Sequence, residues 1–312
     1  MVKPLAQDWA KAGVHSINHF GLAVPDLKEA RKFLLAFGLR VQDAENALLV
    51  RASASEHVWL KVIPGEKKSF QFFSMGCYDR DFDQIVSQIR EAGGVEARQH
   101  AAGTPDGFWF HDPDGTLVQL RVAPKTMIDE KAVLPSGTVP AGIQGAPFRT
   151  QAPKVAPTRL AHMLLFTPDV RRACEFYNRG MGLKISDSSG EMVAFNYARY
   201  GCDHHLIAFV RSHGRGIQHS SWDLPSIEEL GLGQKQMRDA GYTNHWGLGR
   251  HVLGSNYFSY VQDPFGKWWE YNCHIDYIPA GMAWDGGDHD PEEALYLWGP
   301  DLPVNMTINN EA

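Results

Sequence analysis

Residues 17–27 read INHFGLAVPDL, and residues 160–170 read LAHMLLFTPDV. In both stretches a histidine sits in an apolar, strand-like run that closes on Pro-Asp. The aspartate is a good helix N-cap, because its carboxylate accepts from the unpaired N–H groups of the first turn. The segments that follow, KEARKFLLAFGL (28–39) and RRACEFYNRGMGL (171–183), have helical spacing and a glycine stop. The same strand–helix opening therefore occurs twice, and an internal repeat of this kind organises a whole chain.

Further along, FWFHDPDGTLVQLRV (108–122) matches FSYVQDPFGKWWEYNC (258–273). Each reads as a strand, a D-P-x-G turn and a second strand. Proline fixes φ at the first corner, and glycine tolerates the positive φ that follows. Second helices are expected over DFDQIVSQIREAGG (81–94) and SIEELGLGQKQMRDAG (226–241). The copies are offset by about 143 to 151 residues. Each copy reads as strand, helix and several strands, given twice, so the expected fold class is α+β. The expected domains are residues 1–125 and 158–275. Residues 126–157, rich in Pro and Gly, are a linker or a long surface connection. Residues 276–312 form a Trp- and Pro-rich extension, expected to cover a pocket mouth or to make an oligomer contact.

Composition narrows the function. The chain has 312 residues, a formal net charge of -6 and 44% hydrophobic residues, as in an ordinary two-domain globular enzyme. It has no basic stripe, which argues against a nucleic-acid partner. No apolar run reaches the roughly 18 residues of a membrane span, and Met1–Val14 lacks the apolar core of a signal peptide. Cys77, Cys174, Cys202 and Cys273 form no C-x-x-C pair, so a thiolate zinc site is not expected. Scattered cysteines in a chain of this size read as reduced and buried, consistent with the cytoplasm. The 14 histidines concentrate after residue 160.

Three of the second copy's residues suit a single metal: His162 in the first strand, His219 in RGIQHSSWDL (215–224) and Glu270 in KWWEYNC (267–273). Two imidazoles and one carboxylate on one face of a rigid sheet leave the opposite face of a mononuclear Fe(II) open. Glu270 is a lone carboxylate between Trp269 and Tyr271. If buried, such a group needs a strong partner; on the solvent face of a strand it would need none. Taken singly, His162 and His219 read better as hydrogen-bonded core histidines than as ligands; as a trio at matching repeat positions the balance reverses. The first copy offers an internal control: its counterparts are His19, Phe72 and Gln119, which keep one histidine and lose the other two ligands.

At these positions the chain resembles the two-domain type I extradiol catechol dioxygenases of the vicinal oxygen chelate superfamily. The resemblance covers about residues 15 to 275 and is most specific from 158 onward. It implies two tandem domains of paired βαβββ modules, with metal in the C-terminal one only. It also implies further site residues. In CDHHLIAFV (202–210), a histidine three residues before an alanine selects His205 as the distal acid/base. His251 in G-R-H lies nine residues before Tyr260, itself ten before Glu270, and all these spacings fit the family. Tyr260 would donate to the substrate and His251 would support it, while Leu253 and Tyr197 would line the pocket with them. One departure is Leu164, where many of these enzymes carry a polar residue.

The resemblance implies Fe(II), with Mn(II) the second choice, and a small aromatic substrate plus O2. The expected reaction is meta cleavage of a monocyclic catechol or trihydroxylated ring to a 2-hydroxymuconic semialdehyde type of product. Within the family the pattern looks most similar to the branch acting on monocyclic catechols, and there to the trihydroxytoluene oxygenases of nitroaromatic degradation. A homo-oligomer, often a tetramer, is also implied. Two other readings stay open on the residues: a glyoxalase-type isomerase or thiol transferase of the same fold, and a non-catalytic ligand-binding module.

Overall fold

The computed structural model describes residues 9–135, 137 and 139–312. The first eight residues of the Met1–Val14 segment, and Ser136 and Thr138 of the expected linker, lie outside them.

The first half runs β1 (Ser16–Val24), α1 (Leu27–Ala36), β2 (Arg40–Ala44), β3 (Ala47–Arg51) and β4 (Val58–Pro64). It continues with β5 (Ser69–Cys77), α2 (Phe82–Glu91), β6 (Val95–Glu96), β7 (Phe108–His111) and β8 (Leu117–Val122). The second half repeats this as β9 (Leu160–Thr167), α3 (Val170–Met181), β10 (Leu183–Ser189), β11 (Val193–Ala198), a short β12 (Cys202–Asp203) and β13 (Ile207–Arg211). Then come β14 (Gly216–Asp223), α4 (Ile227–Asp239), β15 (His245–Arg250), β16 (Tyr257–Gln262) and β17 (Trp268–Cys273). Each half is thus a pair of βαβββ units, as expected. Each forms one eight-stranded sheet, ordered β2-β3-β4-β1-β5-β8-β7-β6 and β10-β11-β13-β9-β14-β17-β16-β15.

Local chemistry explains the elements. Asp26 caps α1 by accepting from the N–H groups of Lys28 and Glu29 at 2.8 and 3.1 Å, and Asp169 caps α3 by accepting from Arg172 at 2.9 Å. Gly182 stops α3 in the left-handed conformation, with φ 69°. In both D-P-x-G turns the aspartate carboxylate receives two backbone N–H groups: Asp112 from Asp114 and Thr116, Asp263 from Phe265 and Lys267. Gly115 and Gly266 take the positive φ that each turn requires.

The repeat extends to the irregularities. In the β9–β14 pairing a β-bulge falls between Ile217 and His219, and another between Ser221 and Trp222. The β1–β5 pairing is interrupted between Ile17 and His19 and between Gly21 and Leu22. The two halves pack through one shared core. Phe37, at the end of α1, stacks on Tyr271 of β17 with ring centroids 3.9 Å apart, and Tyr271 Oη donates to its carbonyl. Reciprocally, Tyr177 of α3 donates to Asp112 in the first half's turn at 2.8 Å. The connection between the halves has one short 3-10 turn, Arg149–Gln151, and anchors itself by burying Met127 and Val155.

The segment after 275 adds β18 (Tyr277–Ile278), which pairs with β12, and α5 (Pro291–Ala294). All four cysteines are free and buried. No helix among the described residues is long and apolar enough to cross a membrane.

Candidate active site

Strand register builds the site. Ser221 of β14 stands opposite His162 of β9 on one side and Glu270 of β17 on the other, and Glu270 stands opposite Tyr260 of β16. His162, Glu270 and Tyr260 therefore lie in one row across neighbouring strands. His219, two residues before Ser221, falls on the same face because side chains alternate along a strand. The flanking Trp269 and Tyr271 turn the other way, into the core shared by the two halves. Of the two places the sequence left open to Glu270, buried or on the solvent face, it takes the first and has no exposed surface.

Ligand-capable atoms of His162, His219 and Glu270 all lie within 4.8 Å of one another. Glu270 Oε2 is 3.0 Å from His162 Nε2 and 3.4 Å from His219 Nε2. His219 Nδ1 is engaged by Gln218 Oε1, and His219 Nε2 is buried with no hydrogen-bond partner. A buried nitrogen left unsatisfied is costly. A divalent cation taken up by this nitrogen, His162 Nε2 and the carboxylate would remove that cost. The donor set, two imidazoles and one carboxylate, fits such an ion.

Charge states agree. Burial pushes the His162 imidazole down to about 4 against the pull of Glu270, so it is neutral, as a metal ligand must be. Burial alone would raise the Glu270 carboxyl, but the two imidazoles outweigh it and hold it well below the usual range. Asn256 Nδ2 donates to the other carboxylate oxygen at 3.1 Å.

The first half shows the same register emptied of chemistry. Ser74 stands opposite both His19 and Gln119, in the place that Ser221 holds between His162 and Glu270. Phe72, two residues before Ser74, meets His19 edge-on at 5.6 Å. The Gln119 amide is turned to Thr104 and to the carbonyl of Asp106.

Beside the ligand cluster opens a cavity of about 300 Å³, lined by His162, His219, His205, His251, Tyr260 and Leu253. Leu164, Val193, Phe195, Trp246 and Val210 supply apolar wall. His205 is kept neutral by burial and by the neighbouring histidines, its ring 4.1 Å from that of His162 between centroids. Burial, reinforced by Glu270, raises the Tyr260 phenol well above its ordinary value, so it stays protonated. His251 Nδ1 donates to the Leu295 carbonyl at 2.7 Å. Burial lowers the His251 pKa against Glu270, so the ring is neutral and Nε2 carries a lone pair. Nε2 lies 3.1 Å from Tyr260 Oη, which therefore donates to it.

One expectation needs correction. Tyr197 does not line this cavity. It sits at the end of β11, packs edge-on against Trp9 at 5.5 Å and faces a separate cavity of about 360 Å³ with Lys184 and Trp284. Phe195, two residues earlier on β11, takes the wall position. The larger cavity is lined by none of His162, His219, His205, His251 and Tyr260, all of which line the smaller one. His245, on β15, turns its ring to the carbonyls of Tyr242 and Tyr260 and does not line this cavity.

Several residues were not anticipated from the sequence. Gln218 reaches the cavity although it is adjacent to His219, because the bulge inserts it into β14. Asn256 follows Gly254 and Ser255, both at positive φ, a turn that the G-S-N sequence hints at. The extension lines the mouth with Pro291, Ala294, Leu295, Leu302 and Met306.

The class follows from fold and site together. The chain belongs to the Glyoxalase/Bleomycin resistance protein/Dioxygenase superfamily, whose family model matches residues 16–120 and 159–271. Within it the chain is an extradiol ring-cleaving dioxygenase. It is 47% identical over 299 residues to metapyrocatechase 2 of Cupriavidus necator, across 96% of this chain and 93% of the relative. The fold is shared more widely. The Mn(II)-bound glyoxalase of Novosphingobium aromaticivorans superposes with a TM-score of 0.77 at 22% identity, covering 96% of each chain. Homoprotocatechuate 2,3-dioxygenase of Brevibacterium fuscum superposes with a TM-score of 0.75 at 18% identity, covering 97% of this chain and 93% of that one.

Proposed function

We propose that this dioxygenase opens a monocyclic catechol or a trihydroxylated ring of the trihydroxytoluene type with O2, at an Fe(II) held by His162, His219 and Glu270. The product is of the 2-hydroxymuconic semialdehyde type. The observation that carries this reading is a cavity where the two imidazoles of the His162, His219 and Glu270 cluster, a neutral histidine and a protonated tyrosine meet between apolar walls. Its volume, about 300 Å³, lies at the small end of ligand cavities and suits one substituted ring. The metapyrocatechase relative supports catechol as the substrate class. The donor set favours Fe(II) over Mn(II).

A divalent metal held by His162, His219 and Glu270 would bind the vicinal oxygens and O2 and would lower the hydroxyl pKa values. The protein does the rest. His205, neutral and at the cavity wall, accepts a substrate hydroxyl proton and later returns it. Tyr260 turns its hydroxyl from His251 to the substrate oxygen, and His251 accepts the hydrogen bond whenever the substrate is absent. The apolar walls keep bulk water from the reacting ring. The free, buried thiols support a cytoplasmic setting, and the exposed Leu297, Trp298 and Val304 of the extension support a homo-oligomer, as in a tetramer.

The test is a panel of catechol, alkylcatechols, trihydroxybenzenes and two-ring diols, given to iron-loaded enzyme in aerated buffer. The expected result is a yellow ring-opened product from the one-ring substrates, with one O2 consumed per ring and much weaker turnover of two-ring diols. Colourless intradiol products, or no oxygen uptake with any diol, would contradict the proposal.

A further inference from the structure

Asp187 lies 5% exposed in β10, in the irregular stretch where its pairing with β11 skips between Ile185 and Ser188. Such irregularities re-aim side chains, and Asp187 is aimed at a histidine that the proposed chemistry does not use. His204 Nε2 donates to Asp187 Oδ2 at 2.7 Å, and His204 Nδ1 lies 3.0 Å from His205 Nδ1. His204 is fully buried.

The chain of bonds has one assignment in which neither ring carries a charge. A carboxylate only accepts, so His204 carries its proton on Nε2. With one proton per ring, His204 keeps a lone pair on Nδ1, and His205 donates from its own Nδ1. That leaves His205 Nε2 unprotonated and available to the cavity that His205 lines.

The C-terminal extension completes the arrangement. Asp187 also accepts from Trp284 Nε1 at 2.9 Å, from the Gly287 N–H at 2.9 Å and from His289 Nε2 at 2.7 Å. The segment docks on the edge of β10, where Ser188 N–H donates to Gly287 O at 2.9 Å and His289 N–H to Ser188 O at 2.8 Å. A Cβ at Gly286 would collide with the Ser186 carbonyl, so the approach itself requires glycine. Burial would raise the Asp187 carboxyl, but these donors outweigh it and hold it at about 2.

We propose that Asp187 is a positioning residue for ring cleavage: through His204 it fixes the tautomer of His205, so that His205 Nε2 meets the substrate as a base, and residues 284–289 lock that carboxylate in place. The proposal rests on the assignment of His205 as the acid/base. No proton needs to travel along the chain; it sets which nitrogen holds one.

The experiment uses full-length, iron-loaded His205→Asn, Asp187→Asn, His204→Phe and the double Asp187→Asn/His205→Asn proteins, with iron content, KM for catechol and kcat measured for each. His205→Asn is expected to lose about 10²–10⁴-fold in kcat; turnover like that of the unaltered enzyme would remove the acid/base assignment and this inference with it. With His205→Asn impaired, Asp187→Asn and His204→Phe should each lower kcat by about 10²-fold or more, with iron content kept and KM changed by less than about 3-fold. The double variant should be no slower than His205→Asn alone. Losses that multiply in the double variant would make Asp187 mere scaffolding and overturn the proposal. So would an impaired His205→Asn beside an Asp187→Asn of full kcat. Should Asp187→Asn fold poorly or lose iron, His204→Phe and its double with His205→Asn decide by the same criteria.

Discussion

Trp269, Glu270 and Tyr271 are consecutive residues with opposite tasks. Alternation sends the two rings into the core between the halves and the carboxylate into the site. The rings make the strand rigid and dry, and a dry carboxylate needs a cation. Tyr260 shows how the same row supplies a proton donor: it faces Glu270 across β16 and β17, stays protonated, and finds His251 already holding its hydrogen bond. Tyr260→Phe removes only that hydroxyl. We predict that kcat falls on the order of 10²-fold with iron content unchanged and KM within a few fold, measured by steady-state kinetics on iron-loaded protein. At this scale the nearness of His162, His219 and Glu270, and the cavity positions of His205, His251, Tyr260 and Leu253, were legible in the sequence, because a repeat and fixed spacings point to them. Tyr197 was misplaced, since spacing along a strand does not say where that strand's wall position ends. Gln218, Asn256 and Asp187 were illegible because bulges and turns, not periodicity, aim them.

Among the elements, the D-P-x-G turns carry the repeat. Asp112 knots the first one and also accepts from Tyr177 of α3, tying one half's turn to the other half's helix. Burial pushes its carboxyl up to about 6, against the bonds from Tyr177 and Thr116. The folded state therefore holds this proton more tightly than the unfolded chain does. Its stabilising contribution is full below the unfolded pKa, near 4, and is lost as pH rises from there through about 6. Asp112→Asn keeps the turn's acceptor oxygen and removes the titration. We predict that urea unfolding of this variant shows a weaker fall of stability between about pH 4 and pH 6, the difference amounting to about 3 kcal/mol at most. An unchanged profile would assign the proton elsewhere. Turns, caps and helices were readable because each rests on a short local pattern. The bulges between Ile217 and His219 and between Ile17 and His19 were not, since one inserted residue leaves no such pattern.

For the whole molecule, the repeat gives two copies of one scaffold, and among the described residues the two-imidazole, one-carboxylate cluster stands in one half. The first half kept the register but filled it with Phe72 and Gln119. Its remaining contribution is mechanical: Phe37 stacked on Tyr271 backs the strand that holds Glu270. The extension closes the other side, giving the Leu295 carbonyl to His251, the Pro300 carbonyl to Trp246 and the Met306 carbonyl to Gln218. Its sequence suggested a cover or a contact without saying which groups it would touch. Truncation after residue 290 removes these three bonds and six wall residues while leaving His162, His219 and Glu270 in place. We predict that the truncated enzyme still binds iron but shows a KM for catechol raised about 10-fold or more, with a lowered kcat, in oxygen-uptake assays.

The central claim, that these three side chains hold the catalytic metal, is tested most directly by iron analysis of protein purified without air. The unaltered chain should carry close to one iron per chain after loading, and Glu270→Ala, folded by circular dichroism, should carry almost none and cleave no catechol. Full iron occupancy in Glu270→Ala would contradict the account.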